Sequence, residues 1–366
     1  MVTEPRDPGV DLRRIAFLLE RAREATYRVR AFRTAAAAIQ DRDDVAQRAH
    51  AGTLTALPGV GDVTARCVME SLAGEEPGYL RRLEEAAGTG VAPAGSSPVG
   101  SSPAGLSPES VRDGAALRDS LRGDCHTHSD WSDGGSPIEE MATTAHELGH
   151  DYLVLTDHSP RLTVANGLSA ERLRRQLDVV AGLNETLAPF RILTGIEVDI
   201  LLDGTLDQQE ELLAQLNVVV ASVHSKLRMP EEEMTERMLA AVRNPHVDVL
   251  GHCTGRLLTG KGRPESTFDA GAVFAACAEH GVAVEVNSRP ERLDPPKRLL
   301  RLAVQTGCLI SIDTDAHAPG QLDWLPYGCE RAAVCGVPPA QVVNTWAPRH
   351  LLAWAGDHTA RPGSAG

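Results

Sequence analysis

Aromatic residues make up only 4% of the 366 residues, too few to favour a nucleic-acid site built by stacking bases on rings. Lysine is almost missing: Lys226, Lys261 and Lys297 are the three in the chain, so arginine carries nearly all of its positive charge. No apolar run approaches the roughly 20 residues needed to cross a bilayer, so no membrane partner is expected. The opening residues, MVTEPRDPGV, have neither a signal-peptide nor a transit-peptide pattern. Seven cysteines with no C-x-x-C pair argue against a disulfide framework and fit a reducing cytoplasm, the expected location.

Ordinary globular composition is present instead, with 42% hydrophobic and 23% charged residues. The formal net charge of −14 disfavours non-specific binding to nucleic acid, although carboxylates that hold cations would be offset locally. Three regions separate. Residues 1–87 read as a small helical domain, with Ile15, Leu18, Leu19 and Ala22 at helical spacing. Residues 88–119 are rich in Gly, Ser, Pro and Ala and are expected to form a flexible linker. Residues 120–357 alternate short β-branched runs with amphipathic stretches, and residues 358–366 look like a frayed tail.

The alternating region offers seven strands, at 122–126, 152–156, 192–198, 218–223, 247–251, 283–287 and 309–313, with helices such as 136–148 and 170–187 between them. Strand–helix repetition implies a parallel sheet. Seven units can close into an α/β barrel whose chemistry sits at the C-terminal strand ends. Metal-ligating residue types collect there: His126, His128 and Asp133; Asp157 and His158; Glu197 and Asp199; His224; His252; Glu285 and Asn287; Asp313, Asp315 and His317. Residues i and i+2 of a strand point the same way, so His126 and His128 converge, as do Asp315 and His317. Imidazole with carboxylate suits Mn²⁺, Zn²⁺ or Fe²⁺. Closely spaced metals activate water and neutralise a phosphate. Any one histidine is more often structural, and His50, His146, His150, His246, His280, His350 and His358 are read that way.

The motifs HTHSDWSDG, LTDHS, GIEVDI, ASVHSKLRMPEEEMTERMLAAVRNPHVDVLGHCTGRLL, EVNSRPERLD and IDTDAH resemble the polymerase and histidinol phosphatase (PHP) domain. The similarity is to the form found at the C-terminus of bacterial family X DNA polymerases. It implies a distorted seven-stranded barrel holding two to three divalent metals. Carried over by position, one metal takes His126, His128, Glu197 and Asp315. Glu197 bridges to a second with His224 and His252, and a third takes Asp133, His158 and His317.

In the first region, LTALPGVGDVTA contains a hairpin whose Gly59 and Gly61 let backbone N–H groups approach a phosphate. Arg30 and Arg33 lie in an arginine-rich helical stretch upstream, and solvated arginines offset by nearby acids are the plainer reading. With YRVRAFRTAAAAIQ, the segment resembles the family X N-terminal helix-hairpin-helix domain, which implies DNA binding. The position of the family's Schiff-base lysine matches Cys67, and this domain has no lysine, so no lyase activity is expected by that route. The resemblance also lacks the polymerase palm, so no DNA synthesis is expected.

These readings converge on a metal-dependent phosphoesterase cleaving DNA with 3′→5′ exonuclease-like action. Glu197 is the bridging carboxylate, and Lys226, Arg256 and Arg289 are candidate phosphate clamps. A phosphomonoesterase acting on a small ester such as histidinol phosphate, and a non-catalytic DNA-binding repair adaptor, are the competing readings.

Overall fold

In the computed structural model, which describes residues 6–89 and 108–356, the chain divides into two compact units, residues 1–104 and 105–366. The first is all-helical: α1 (Pro8–Arg21), α2 (Thr26–Ile39), α3 (Val45–His50), α4 (Asp62–Leu72) and α5 (Gly78–Thr89). Leu12, Ile15, Ala16 and Leu19 of α1 are buried with Phe32, Ala35 and Ala36 of α2 and Val68 of α4, the apolar stripe that helical spacing requires.

The second unit starts with α6 (Pro108–Ser120) and continues β1 (Gly123–Thr127), α7 (Ile138–Glu147), β2 (Tyr152–Leu155), α8 (Ala170–Leu187), β3 (Arg191–Asp199), α9 (Glu210–Leu213), β4 (Val218–Ser222), α10 (Glu231–Val242), β5 (Val249–Leu250), α11 (Ala270–His280), β6 (Ala283–Asn287), α12 (Lys297–Thr306), β7 (Ile310–Asp313), α13 (Leu325–Val334) and α14 (Pro348–Gly356). The seven strands neighbour one another in chain order, and every pair is parallel. A parallel bridge between Thr127 and Ala316, with His128 N–H donating to the Ala316 carbonyl at 2.8 Å, brings the two edges together into a nearly closed barrel. One strand face packs on the helices: Ile196, Val198, Val219 and Val284 share a core with Met234, Met238 and Phe274. The other encloses Cys125, Tyr152, Val154, Leu193, Val218, Val220 and Val249. Strands buried on both faces explain the continuous apolar runs.

The expected linker at 88–119 is corrected at both ends. Helix α5 reaches Thr89 and α6 occupies Pro108–Ser120, while residues 90–107 and the expected tail at 358–366 lie outside the described residues. Average composition hid an anchor: Leu117 of α6, 4% exposed, joins the core that contains Leu325, Cys329 and Ala332 of α13, as does Leu121 just past the helix. Gly114 admits the close approach, since a Cβ there would stand 3.0 Å from the Glu330 Cα.

Candidate metal centre

Alternation along β3 places Leu193, Gly195, Glu197 and Asp199 on one face. The face that is apolar low in the barrel therefore becomes acidic at its C-terminal mouth. Gly195 is required below the site, because a Cβ would lie 2.7 Å from the Val218 carbonyl and 3.0 Å from that of Leu155. Glu197 is 1% exposed and both of its oxygens face histidines. Oε1 lies 2.8 Å from His252 Nε2 and 3.2 Å from His224 Nε2. Oε2 lies 2.8 Å from His158 Nδ1, 3.4 Å from His126 Nε2 and 3.6 Å from His128 Nε2.

The remaining acids complete the ring. Asp315 Oδ1 is 3.5 Å from His128 Nε2, and Asp133 Oδ1 is 3.5 Å from His158 Nε2 and 3.4 Å from His317 Nε2. Three groups have donor atoms close enough to share an ion: His126, His128 and Glu197; His158, Glu197 and His224; and His128, Asp133, His158 and His317. All nine sequence-expected ligands therefore meet at one mouth. Asp315 adopts φ +54°, a left-handed conformation uncommon outside glycine and of the kind that clusters at functional sites.

The donor set fits divalent cations. His126 Nε2, both nitrogens of His128 and His252 Nδ1 are buried without a hydrogen-bond partner, whereas buried polar atoms are ordinarily paired. Charge follows the same arrangement. Burial alone would raise the Glu197 carboxyl, but His224, His126 and His158 outweigh it and hold it well below the usual range. Burial, with His317 and His158 nearby, drives His128 well below the usual imidazole value. Burial would also lower His224, yet Glu197 and Asp199 lift it to about 9.

Supporting side chains orient the ligands. Asp199 Oδ1 meets His224 Nδ1 at 2.9 Å. Asp157 accepts from Ser129 N at 2.8 Å, Ser132 Oγ at 2.5 Å and Gln176 Nε2 at 2.6 Å, so it braces the loop carrying Asp133 rather than facing the cluster. A cavity of about 360 Å³ opens over the site, lined by seven of the nine candidate ligands, all but the fully buried His126 and His128, together with Leu162, Val164, Leu257, Arg289, Glu291 and Arg292.

The expected phosphate clamps separate. Arg289 lines the cavity while donating to the Asp315 carbonyl at 3.0 Å. Arg256 is turned to structural use, donating from Nε to the Arg292 carbonyl at 3.0 Å and from Nη2 to that of Leu293. Lys226 is exposed in the turn after β4 and does not line the cavity. Arg292, missed in the sequence, lines the cavity with its Nε 3.2 Å from Asp315 Oδ2. Its only signal was an arginine five residues past Asn287, on the loop leaving a strand without a ligand of its own.

In the helical unit, Gly59 has φ +89°, and a Cβ there would strike Thr34 Cγ2 at 2.4 Å. Gly61 precedes α4 as its N-cap, its N–H bonded to Thr64 Oγ1 at 3.0 Å. Arg30 is exposed. Arg33 forms a two-pronged ion pair with Glu20, at 2.9 and 2.8 Å, so packing of α2 on α1 employs the arginine that the sequence offered to DNA. Cys67 is 2% exposed, and burial pushes its thiol up to about 11, which leaves it a packing residue.

Fold and site define a metal-binding phosphoester hydrolase. The family model described as PHP domain matches residues 124–289, and that described as helix-hairpin-helix domain matches residues 11–76. A DNA polymerase/3′-5′ exonuclease PolX of Bacillus subtilis is 41% identical over 212 residues, and the chain spans 58% of its own length but 37% of that protein's. A probable phosphatase of Acetivibrio thermocellus is 30% identical over 203 residues, 53% of this chain and 78% of the relative. One from Thermoanaerobacter sp. is 28% identical over 233 residues, 61% and 89%. The solved histidinol phosphate phosphatase of Lactococcus lactis has a TM-score of 0.43 and 19% identity, over 58% of this chain and 92% of that one. The chain belongs to the PHP family, with a helix-hairpin-helix domain ahead of its barrel.

Proposed function

We propose that the chain hydrolyses phosphodiester bonds at DNA 3′ ends in a repair-related role, without DNA synthesis or lyase activity. The observation that carries this reading is the pairing of a helix-hairpin-helix domain with a PHP barrel in one chain. The 41% identity to a protein named as a polymerase and 3′-5′ exonuclease supports it. Two to three Mn²⁺, Zn²⁺ or Fe²⁺ ions, held by His126, His128, Asp133, His158, Glu197, His224, His252, Asp315 and His317, would supply Lewis-acid charge and an activated water. The chain's own part is positional. Glu197 fixes the spacing of the histidines, Asp199 orients His224, and Arg289 and Arg292 line the cavity, where they would meet phosphate oxygens. The hairpin at Gly59 and the exposed Arg30 offer a backbone N–H and charge to the DNA backbone, while the Gly61 N–H is held by Thr64 Oγ1 at the start of α4.

A second reading is favoured by the relatives named probable phosphatases, of which the chain spans 78% and 89%: a small phosphate monoester as substrate. The adaptor reading would leave a hydrolase-class site without a task. The test offers the Mn²⁺-loaded protein a labelled single strand, a gapped duplex and histidinol phosphate. The DNA substrates are expected to be shortened. Turnover of histidinol phosphate alone would overturn the nuclease reading in favour of the second.

A further inference from the structure

Six of the seven strands lead into a proposed metal ligand; β6 leads into none. Its mouth nevertheless carries two polar side chains at 0% exposure, Glu285 and Asn287, on the face that points into the barrel. Each reaches toward a proposed ligand carried by another strand. Glu285 Oε1 lies 2.6 Å from His126 Nδ1. Glu285 Oε2 accepts the backbone N–H of His252. Asn287 Nδ2 donates to Asp315 Oδ2 at 3.2 Å.

We propose that Glu285 is a positioning residue that decides which nitrogen of His126 faces the metal, and that β6 in this way sets the geometry of a site to which it gives no ligand. The inference rests on the reading of the cluster as a metal centre. A carboxylate offers only acceptors, so the Nδ1 that faces Glu285 must carry the hydrogen. The lone pair is then left on Nε2, the buried and unpartnered nitrogen 3.4 Å from Glu197. The second oxygen is committed to a main-chain donor, so the carboxylate cannot turn away. One side chain thus locks the ring of the β1 ligand and the start of the β5 ligand loop together. A carboxylate behind a ligating imidazole also raises its basicity.

Glutamine makes the point testable because it keeps the shape. The His252 N–H demands the amide oxygen on its side. The amide NH₂ then faces His126 Nδ1, forces that nitrogen to accept, and puts the hydrogen on Nε2, where the metal belongs. Glu285→Gln is therefore expected to weaken one metal site by about tenfold to a hundredfold. The readouts are zinc titration calorimetry of the full chain and ring ¹⁵N spectra of histidine-labelled, zinc-loaded protein. Wild type should show His126 coordinated through Nε2 with hydrogen on Nδ1, and the variant should lose that signature together with the affinity. A wild-type spectrum with zinc on Nδ1 would overturn the proposal whether or not the variant folds, and so would an affinity loss with the His126 signature intact, since that marks a merely structural role. A wild-type chain that takes up no zinc, Mn²⁺ or Fe²⁺ would overturn the metal-centre reading and this proposal with it.

Discussion

At the scale of single residues, Glu197 is the side chain on which the site depends, because its two oxygens face five histidines. Glu197→Gln keeps its volume and removes its charge. Hydrolysis is expected to fall by about a thousandfold or more, the scale of several kcal/mol of lost charge stabilisation, with a matching loss in metal content by elemental analysis. The arginines give a graded test. Arg292→Ala should raise KM for a phosphoester by about tenfold to a hundredfold, the cost of one charge-assisted contact, while Lys226→Ala leaves it near wild type; equal effects in steady-state kinetics would contradict the geometry. His150 supplies a pH signature away from the metals. It is 2% exposed, and burial lowers its pKa to about 3. Between about pH 6.5 and 3 the unfolded chain holds a proton that the folded chain does not, so stability falls as pH falls through that window. In urea titrations with chelator present, His150→Leu should flatten this slope by up to about 1.4 kcal/mol per pH unit.

At the scale of elements, the sequence showed most where periodicity and chemistry coincide. The expected strand at 283–287 and helix at 170–187 match β6 and α8, and the clustering of the nine candidate ligands was legible because each lies at or just past a strand's C-terminal end. What stayed hidden depends on partners distant in the chain. Helix α6 was lost in a Gly/Ser/Pro average because the surface it packs on lies about two hundred residues further on. The structural roles of Arg256 and Arg33 were invisible because their partners, the 292–293 carbonyls and Glu20, are set by tertiary packing. A core helix and a linker respond differently to truncation. Leu117→Ala is expected to cost about 2–5 kcal/mol in denaturant unfolding, whereas a change near zero would return this segment to a linker.

At the scale of the whole molecule, the acidity that argued against nucleic acid is unevenly placed. Residues 1–104 hold 13 arginines against 14 acidic side chains, so nearly all of the net −14 belongs to the barrel segment, where metals held as proposed would offset the carboxylates at the mouth. If the near-neutral helix-hairpin-helix domain grips phosphates as proposed, DNA affinity should fall steeply with salt, while turnover of a small ester should respond weakly. The most direct measurement is release of label from a 3′-labelled single strand by the full chain with Mn²⁺, beside the Glu197→Gln variant and a chelated control. The account predicts labelled mononucleotide from the metal-loaded wild type alone. An intact strand in a preparation that turns over histidinol phosphate, or equal release by the variant, would contradict it.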